Sequence, residues 1–227
     1  MLTPPPLPDD VIVASLRATF ALEIARVTFL PIGHVDTATY RAEAEDGTAY
    51  FLRLRPEQFH TISVAIPALL HARGVGAVLA PLRTTTGQLW RRQHGFAWMI
   101  YPFVVGSSGF VTALSAHQWR TFGATLRALH DTELPPSLAR RVEREDFTPR
   151  WRALVERFDQ QTRTQRFKDP VAEALAAFWR SRQQDITAML AGADALARVV
   201  CQRASDFVLC HADAHPNNLP VSYTHLT

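Results

Sequence analysis

Three segments, Ala25–Ile32, Thr37–Ala44 and Ala49–Arg55, alternate apolar and polar residues, and the connections between them are far too short to hold a crossover helix. Strands joined so closely pair antiparallel. The sequence therefore predicts a meander, turning first at Gly33-His34 and then at Glu45-Asp46-Gly47, where Asp-Gly is a strong hairpin dipeptide. Ahead of it, Asp9-Asp10 is expected to cap an amphipathic helix through Val11, Val13, Leu16 and Phe20. After it come an expected helix over Phe59–Ala72, strands over Gly74–Leu82 and Gln88–Arg92, and an apolar strand over Phe96–Phe103 that breaks at Pro102. Val105–Gly109 reads as a linker. From Ser115 the period becomes helical: Ser115 caps a helix with Trp119, Phe122, Leu126 and Leu129 on one stripe, ending near His130. A helix with Pro149 near its first turn follows, and Pro170–Val200 is long, Ala-rich and helix-favouring. The expected class is α+β, an antiparallel sheet followed by a helical half.

A chain of 227 residues, 47% hydrophobic, can bury a full core. No apolar run approaches the ~20 residues that cross a bilayer, and the start at Met1-Leu2-Thr3-Pro4 lacks the charged and apolar parts of a signal peptide. Cys201 and Cys210 lack metal-type spacing, so a cytoplasmic protein with reduced thiols is expected. Net charge is +3 with arginines interleaved among acids, as in Arg140–Asp146, and neither nucleic acid nor membrane is expected as a partner.

Close to the C-terminus, Val208-Leu209-Cys210 reads as a short buried strand that opens into the polar loop His211-Ala212-Asp213-Ala214-His215-Pro216-Asn217-Asn218. An acid five positions before an Asn, across a turn, can serve one phosphoryl group twice. Asp213 would accept the proton of an attacking hydroxyl, and the Asn218 amide oxygen would face a magnesium ion on nucleotide phosphates. Two other readings stay open. His211, Asp213 and His215 alternate at strand period and could ligate zinc or iron. The stretch could also be a polar strand end without chemistry.

The pattern His-x-Asp-x-x-x-x-Asn resembles the catalytic loop of protein kinases and of the aminoglycoside phosphotransferase family, usually worded His-Gly-Asp-x-His-x-Gly-Asn. It matches at His211, Asp213, His215 and Asn218 and departs at Asn217, where Asn is expected to replace Gly in a left-handed conformation. Tyr50–Leu54, Tyr101-Pro102-Phe103, Gly109-Phe110, Gln118-Trp119, Pro149–Arg152 and Val208–His211 resemble the spectinomycin phosphotransferases in order along the chain.

The resemblance implies a two-lobed, protein-kinase-like fold with a nucleotide-binding lobe over 1–104 and a catalytic lobe over 105–219. It implies an ATP- and Mg2+-dependent kinase whose acceptor is a hydroxyl of an aminocyclitol antibiotic. Asp213 would be the base, Asn218 a metal ligand and His211 a loop-ordering residue. Arg53 would replace the phosphate-pairing Lys of the third strand; Gly33, Asp36 and Thr37 would lie in the loop over the phosphates; backbone near Tyr101 and Phe103 would meet the adenine edge. The helix expected at Phe59–Ala72 contains no acid to pair with Arg53, and Glu57 just before it is the nearest substitute. The family's second metal-binding Asp is not reached. Pro220–Thr227 is expected to be a non-native tail that fails the strand pattern, leaving the catalytic lobe incomplete and the chain inactive as it stands. A kinase of the same fold for a choline- or homoserine-like metabolite, and a nucleotide-binding protein without transferase activity, are the competing functions.

Overall fold

The computed structural model describes residues 3–56, 58–203 and 207–222. The chain divides into two compact units, Met1–Val142 with Val208–Thr227, and Glu143–Phe207.

In the first unit, strands β1 (Ile24–Leu30), β2 (Ala38–Ala44) and β3 (Ala49–Pro56) form the expected meander. With β4 (Arg91–Gln93) and β5 (Phe96–Pro102) they make an antiparallel sheet in the order β1-β2-β3-β5-β4. Tyr40 pairs with Leu52 and Leu52 with Ile100. Because side chains alternate in a strand, this register sends Tyr40, Ala42, Leu52, Leu54, Trp98 and Ile100 to one face. Helix α1 (Asp9–Phe20) covers that face with Ile12, Leu16 and Phe20, spaced four apart on one stripe, and together they form the main core. The helix starts one residue earlier than its expected cap. Pro8 holds the cap position without a side-chain bond, and Asp9 and Asp10 lie in the first turn, where they complement the helix dipole. Asp46 Oδ1 accepts the Thr48 N–H at 2.8 Å, closing the β2–β3 hairpin, and that bond holds the Asp46 carboxyl below its ordinary range.

The opposite face carries Thr39, Arg41, Phe51, Arg53, Arg55, Met99 and Tyr101, from the same alternation. Helix α2 (Ile62–Ala72) places Val64 against Ala97 and Met99 there, with Phe59 and Trp90 edge to face at 5.0 Å. The strand expected over Gly74–Leu82 is absent. Gly74 takes a positive φ of 87° just past α2 and the backbone then runs through turns, touching the sheet through Leu82 N–H to Ile100 O at 2.8 Å. The expected strand at 88–92 shrinks to β4.

Gly106–Ser108, expected as linker, forms β6 and pairs with β7 (Pro220–Ser222). The break in strand pattern expected after Leu219 is thus replaced by a short strand, and residues 223–227 of the expected tail lie outside the described ones. Helix α3 (Ala116–His130) begins with the Ser115–Gln118 capping box, and α4 (Pro136–Ala139) is a single turn.

The second unit holds α5 (Arg152–Thr164), α6 (Pro170–Ser181) and α7 (Gln183–Cys201). The single long helix expected over Pro170–Val200 breaks at Arg182, whose ψ of 13° leaves the helical region beside a Ser181 hydroxyl that bonds back to Phe178 O at 2.7 Å. Polar bonds join α5 to α6: Arg180 donates to Thr162 O at 2.6 Å and Trp179 Nε1 donates to Asp159 Oδ1 at 3.4 Å. No helix among the described residues is long and apolar enough to cross a membrane.

Leu52 is fully buried at the centre of the main core. Replacing it with Ala should cost about 3 kcal/mol of stability, read as a lower urea midpoint with an unchanged slope.

Candidate active site

The loop at 211–219 is built from local hydrogen bonds. The apolar run before it is not the buried strand expected: Val208 and Cys210 are exposed, Leu209 is half-buried, and no described strand pairs with them. Ala212 then takes a left-handed φ of 63°, which turns the chain and lets His211 Nδ1 accept the Asp213 N–H at 3.3 Å. Asp213 O accepts the His215 N–H at 3.0 Å, and Pro216–Asn218 forms one 3-10 turn closed by Asn218 N–H to His215 O at 2.9 Å. Across that turn, Asn218 Nδ2 donates to Asp213 O at 2.8 Å and to Asp213 Oδ2 at 3.0 Å. The amide nitrogen is occupied, so its Oδ1 is the group left to face a cation. The Asp213 side chain is 72% exposed, with Oδ1 at 3.6 Å from His215 Nε2.

Asn217, expected in a left-handed conformation, lies in the 3-10 turn. The left-handed residue is Ala212, at the other position where the family wording has Gly. A methyl there strains the backbone mildly.

Gly109 ties this loop to β6. Its N–H lies 3.1 Å from Pro216 O and 3.2 Å from Leu219 O, and a Cβ on it would fall 2.9 Å from Leu114 Cδ1 and 3.1 Å from Pro216 O. Phe110 beside it faces the His215 ring at 6.2 Å. Sequence reasoning gave neither Gly109 nor Ala212 a role, and the signal for Gly109 was its place in the ordered family matches.

A second set of predicted residues lies on the sheet face opposite α1. Arg53 stands between Thr39 of β2 and Met99 of β5. Its Nε is buried and has no hydrogen-bond partner among the described residues. Burial, then the charge of Arg55, lowers its pKa below the ordinary arginine value. Tyr101, half-buried opposite Phe51, has its phenol pushed up by burial, opposed by Arg53 and Arg55. The α2 segment has no acid to neutralise Arg53; it offers Ser63, which Arg55 reaches at 3.4 Å. Glu57 lies outside the described residues.

The β1–β2 turn bears Gly33 at a φ of 101°, with Asp36 exposed and Thr37 donating its N–H to His34 O at 2.9 Å. It is tethered next to Arg53's neighbour, since Thr39 Oγ1 donates to Ile32 O at 3.4 Å. Phe103 donates its N–H to Ala49 O at 3.2 Å, so that donor is taken by the sheet. Among the described residues nothing engages the N–H groups of Val104 and Val105, which follow it.

The structure thus gathers Asp213, Asn218, His211 and His215 into one loop, and Arg53 and Tyr101 onto one sheet face. The alternative metal centre is not formed: among the described residues no three His, Cys, Asp or Glu side chains come together to hold an ion.

A sequence model of the phosphotransferase enzyme family matches residues 27–227. The chain belongs to that family. Two solved structures of spectinomycin phosphotransferase APH(9)-Ia, one with ADP and spectinomycin and one with AMP, superpose with TM-scores of 0.84 and 0.81 at 25% identity. They cover 97% and 96% of this chain, which spans 67% of theirs. An aminoglycoside phosphotransferase of Alicyclobacillus acidocaldarius, 16% identical with a TM-score of 0.64 over 98% of this chain and 65% of its own, shares the fold. No curated protein sequence matches significantly. This phosphotransferase therefore has the expected kinase-like α+β fold and is a kinase-like enzyme.

Replacing Gly109 with Val should destabilise the protein by about 1–3 kcal/mol through overpacking. Faster hydrogen exchange at Asn218 and Leu219 than in the parent would show that the loop has loosened.

Proposed function

We propose that this phosphotransferase moves the terminal phosphoryl group of ATP onto a hydroxyl of an aminocyclitol antibiotic of the spectinomycin kind, in the cytoplasm. The observation that carries the reading is the hydrogen bond from Asn218 Nδ2 to the Asp213 carboxylate, which fixes both groups on one turn. The likeness to spectinomycin phosphotransferase over nearly the whole chain supports the acceptor class.

The residues present suit both groups that such a reaction needs. Arg53's buried, unpartnered N–H is a donor waiting for an anionic acceptor, and phosphate oxygens supply one. Asn218 Oδ1, left over once its amide nitrogen is bonded, is a hard oxygen donor of the kind magnesium takes. Bound magnesium would draw charge from the phosphate oxygens as they are transferred.

In this reading residues 1–104 form the nucleotide lobe and 105–219 belong to the catalytic lobe. The β1–β2 turn at Gly33, Asp36 and Thr37 covers the phosphates, and backbone near Tyr101 and Phe103 meets the base. With the Phe103 N–H taken by Ala49, the donor to the base edge comes from Val104 or Val105. Asp213 takes the proton from the acceptor hydroxyl as that oxygen bonds to the terminal phosphorus and the bond to the ADP oxygen breaks. Its carboxylate, exposed and held by Asn218, is free to do so. His211 orders the loop through the Asp213 N–H.

The absence of an acid from α2 favours a second reading, nucleotide binding without transfer. Calorimetry with ADP and phosphorylation assays with spectinomycin, choline and homoserine separate the possibilities. ADP should bind, and failure to bind would sink the nucleotide site. Spectinomycin-dependent ATP turnover would support the acceptor class and overturn the expectation that the chain is inactive; turnover with choline or homoserine instead would redirect it. Where turnover is found, Asp213→Asn should lower it by about 100- to 10,000-fold while leaving ADP affinity nearly unchanged.

A further inference from the structure

The sheet face that carries Arg53 holds a second guanidinium to which the reaction above gives no part. Arg41 of β2 stands opposite Phe51 of β3, and Phe51 opposite Tyr101 of β5. Arg53 lies in the adjacent same-face row, with Thr39 and Met99. The two arginines are therefore diagonal neighbours, and Arg41 is in the row nearer the point where β5 runs out towards Phe103.

Arg41 is held in place. Its Cζ lies over the Phe103 ring at 5.0 Å from the centroid, and Phe103 is 6.5 Å from Phe51. One terminal nitrogen pairs with Glu43 Oε1 at 2.7 Å, and the side chain as a whole is 42% exposed. Its Nε differs from the rest of the group. Like the Nε of Arg53, it is shut off from solvent and has no acceptor among the described residues. A buried N–H without a partner is costly, and this sheet face carries two of them.

We propose that Arg41 contacts the nucleoside half of the bound nucleotide, donating through its guanidinium to an acceptor on the sugar or base while keeping its stack on Phe103. Arg53 takes the phosphates. The inference rests on the nucleotide-binding reading above and adds to it a residue that grips the other end of the ligand. Ordering by Glu43 and Phe103 means that little side-chain freedom is lost on binding. Lysine has neither the Nε donor nor the planar group, so the conservative replacement should not substitute.

Calorimetric titration of the 227-residue chain with adenosine and with ADP tests this, using Arg41→Ala, Arg41→Lys and Arg53→Ala. Both Arg41 variants should weaken adenosine and ADP by the same factor, about tenfold, the size expected for one charged hydrogen bond. Arg53→Ala should weaken ADP and leave adenosine unchanged. An unfolding midpoint of Arg41→Lys close to the parent's shows that lost binding is not lost fold. Adenosine binding as tight as the parent's in Arg41→Ala, or parent-like binding in Arg41→Lys, would overturn the assignment. A parent that binds ADP and adenosine with no dependence on Arg41 removes this inference alone; a parent that binds neither removes the nucleotide site and Arg41's part in it.

Discussion

The first unit depends on the period-two alternation of its sheet, set in register by short hairpins. Once Tyr40, Leu52 and Ile100 line up across β2, β3 and β5, the apolar half of each strand has one place to go, beneath α1. The other half is committed to the opposite face whether or not it is apolar. Arg41 and Arg53 arrive there through register, and the sheet buries their Nε groups without pairing them. A shift of one residue would reverse both faces, so burial of the core and placement of the cations are one constraint.

The loop at 211–219 obeys a different rule. Its shape comes from short polar bonds: His211 to the Asp213 N–H, Asp213 O to the His215 N–H, and the Asn218 amide back to Asp213. Gly109 joins it to β6 at a place where a Cβ would crowd Leu114 and Pro216 O. The catalytic pair is thus positioned by the backbone of its neighbours, which keeps the Asp213 carboxylate open to a substrate while its partner is fixed. Rigidity around an exposed carboxylate suits a reaction that works mainly by positioning.

Within the second unit, few of the described residues are buried. Thr162 and Ala176 are its buried residues among those described, polar bonds such as Arg180 to Thr162 O join α5 to α6, and ion pairs such as Arg180 with Glu173 lie within a helix. Exposed pairs contribute little each. Stability in this protein is therefore concentrated under α1.

The sequence alone determined the meander, its two turns, the cap at Ser115 and the spacing that brings Asp213 and Asn218 together, because each rests on interactions within a few residues. Some of its errors fell where distant partners decide. Gly74–Leu82 has strand composition but finds no free edge beyond Leu82, and Val208–Cys210 has no strand beside it. Pro170–Val200 favours helix throughout, yet local bonding near Arg182 splits it. The role of Gly109 and the pairing of β6 with β7 were decided by tertiary structure, since each depends on a backbone group that residue order does not bring near. The unsatisfied state of Arg41 and Arg53 is of the same kind: sequence sets their alternation, but only the packed sheet withdraws their Nε groups from water.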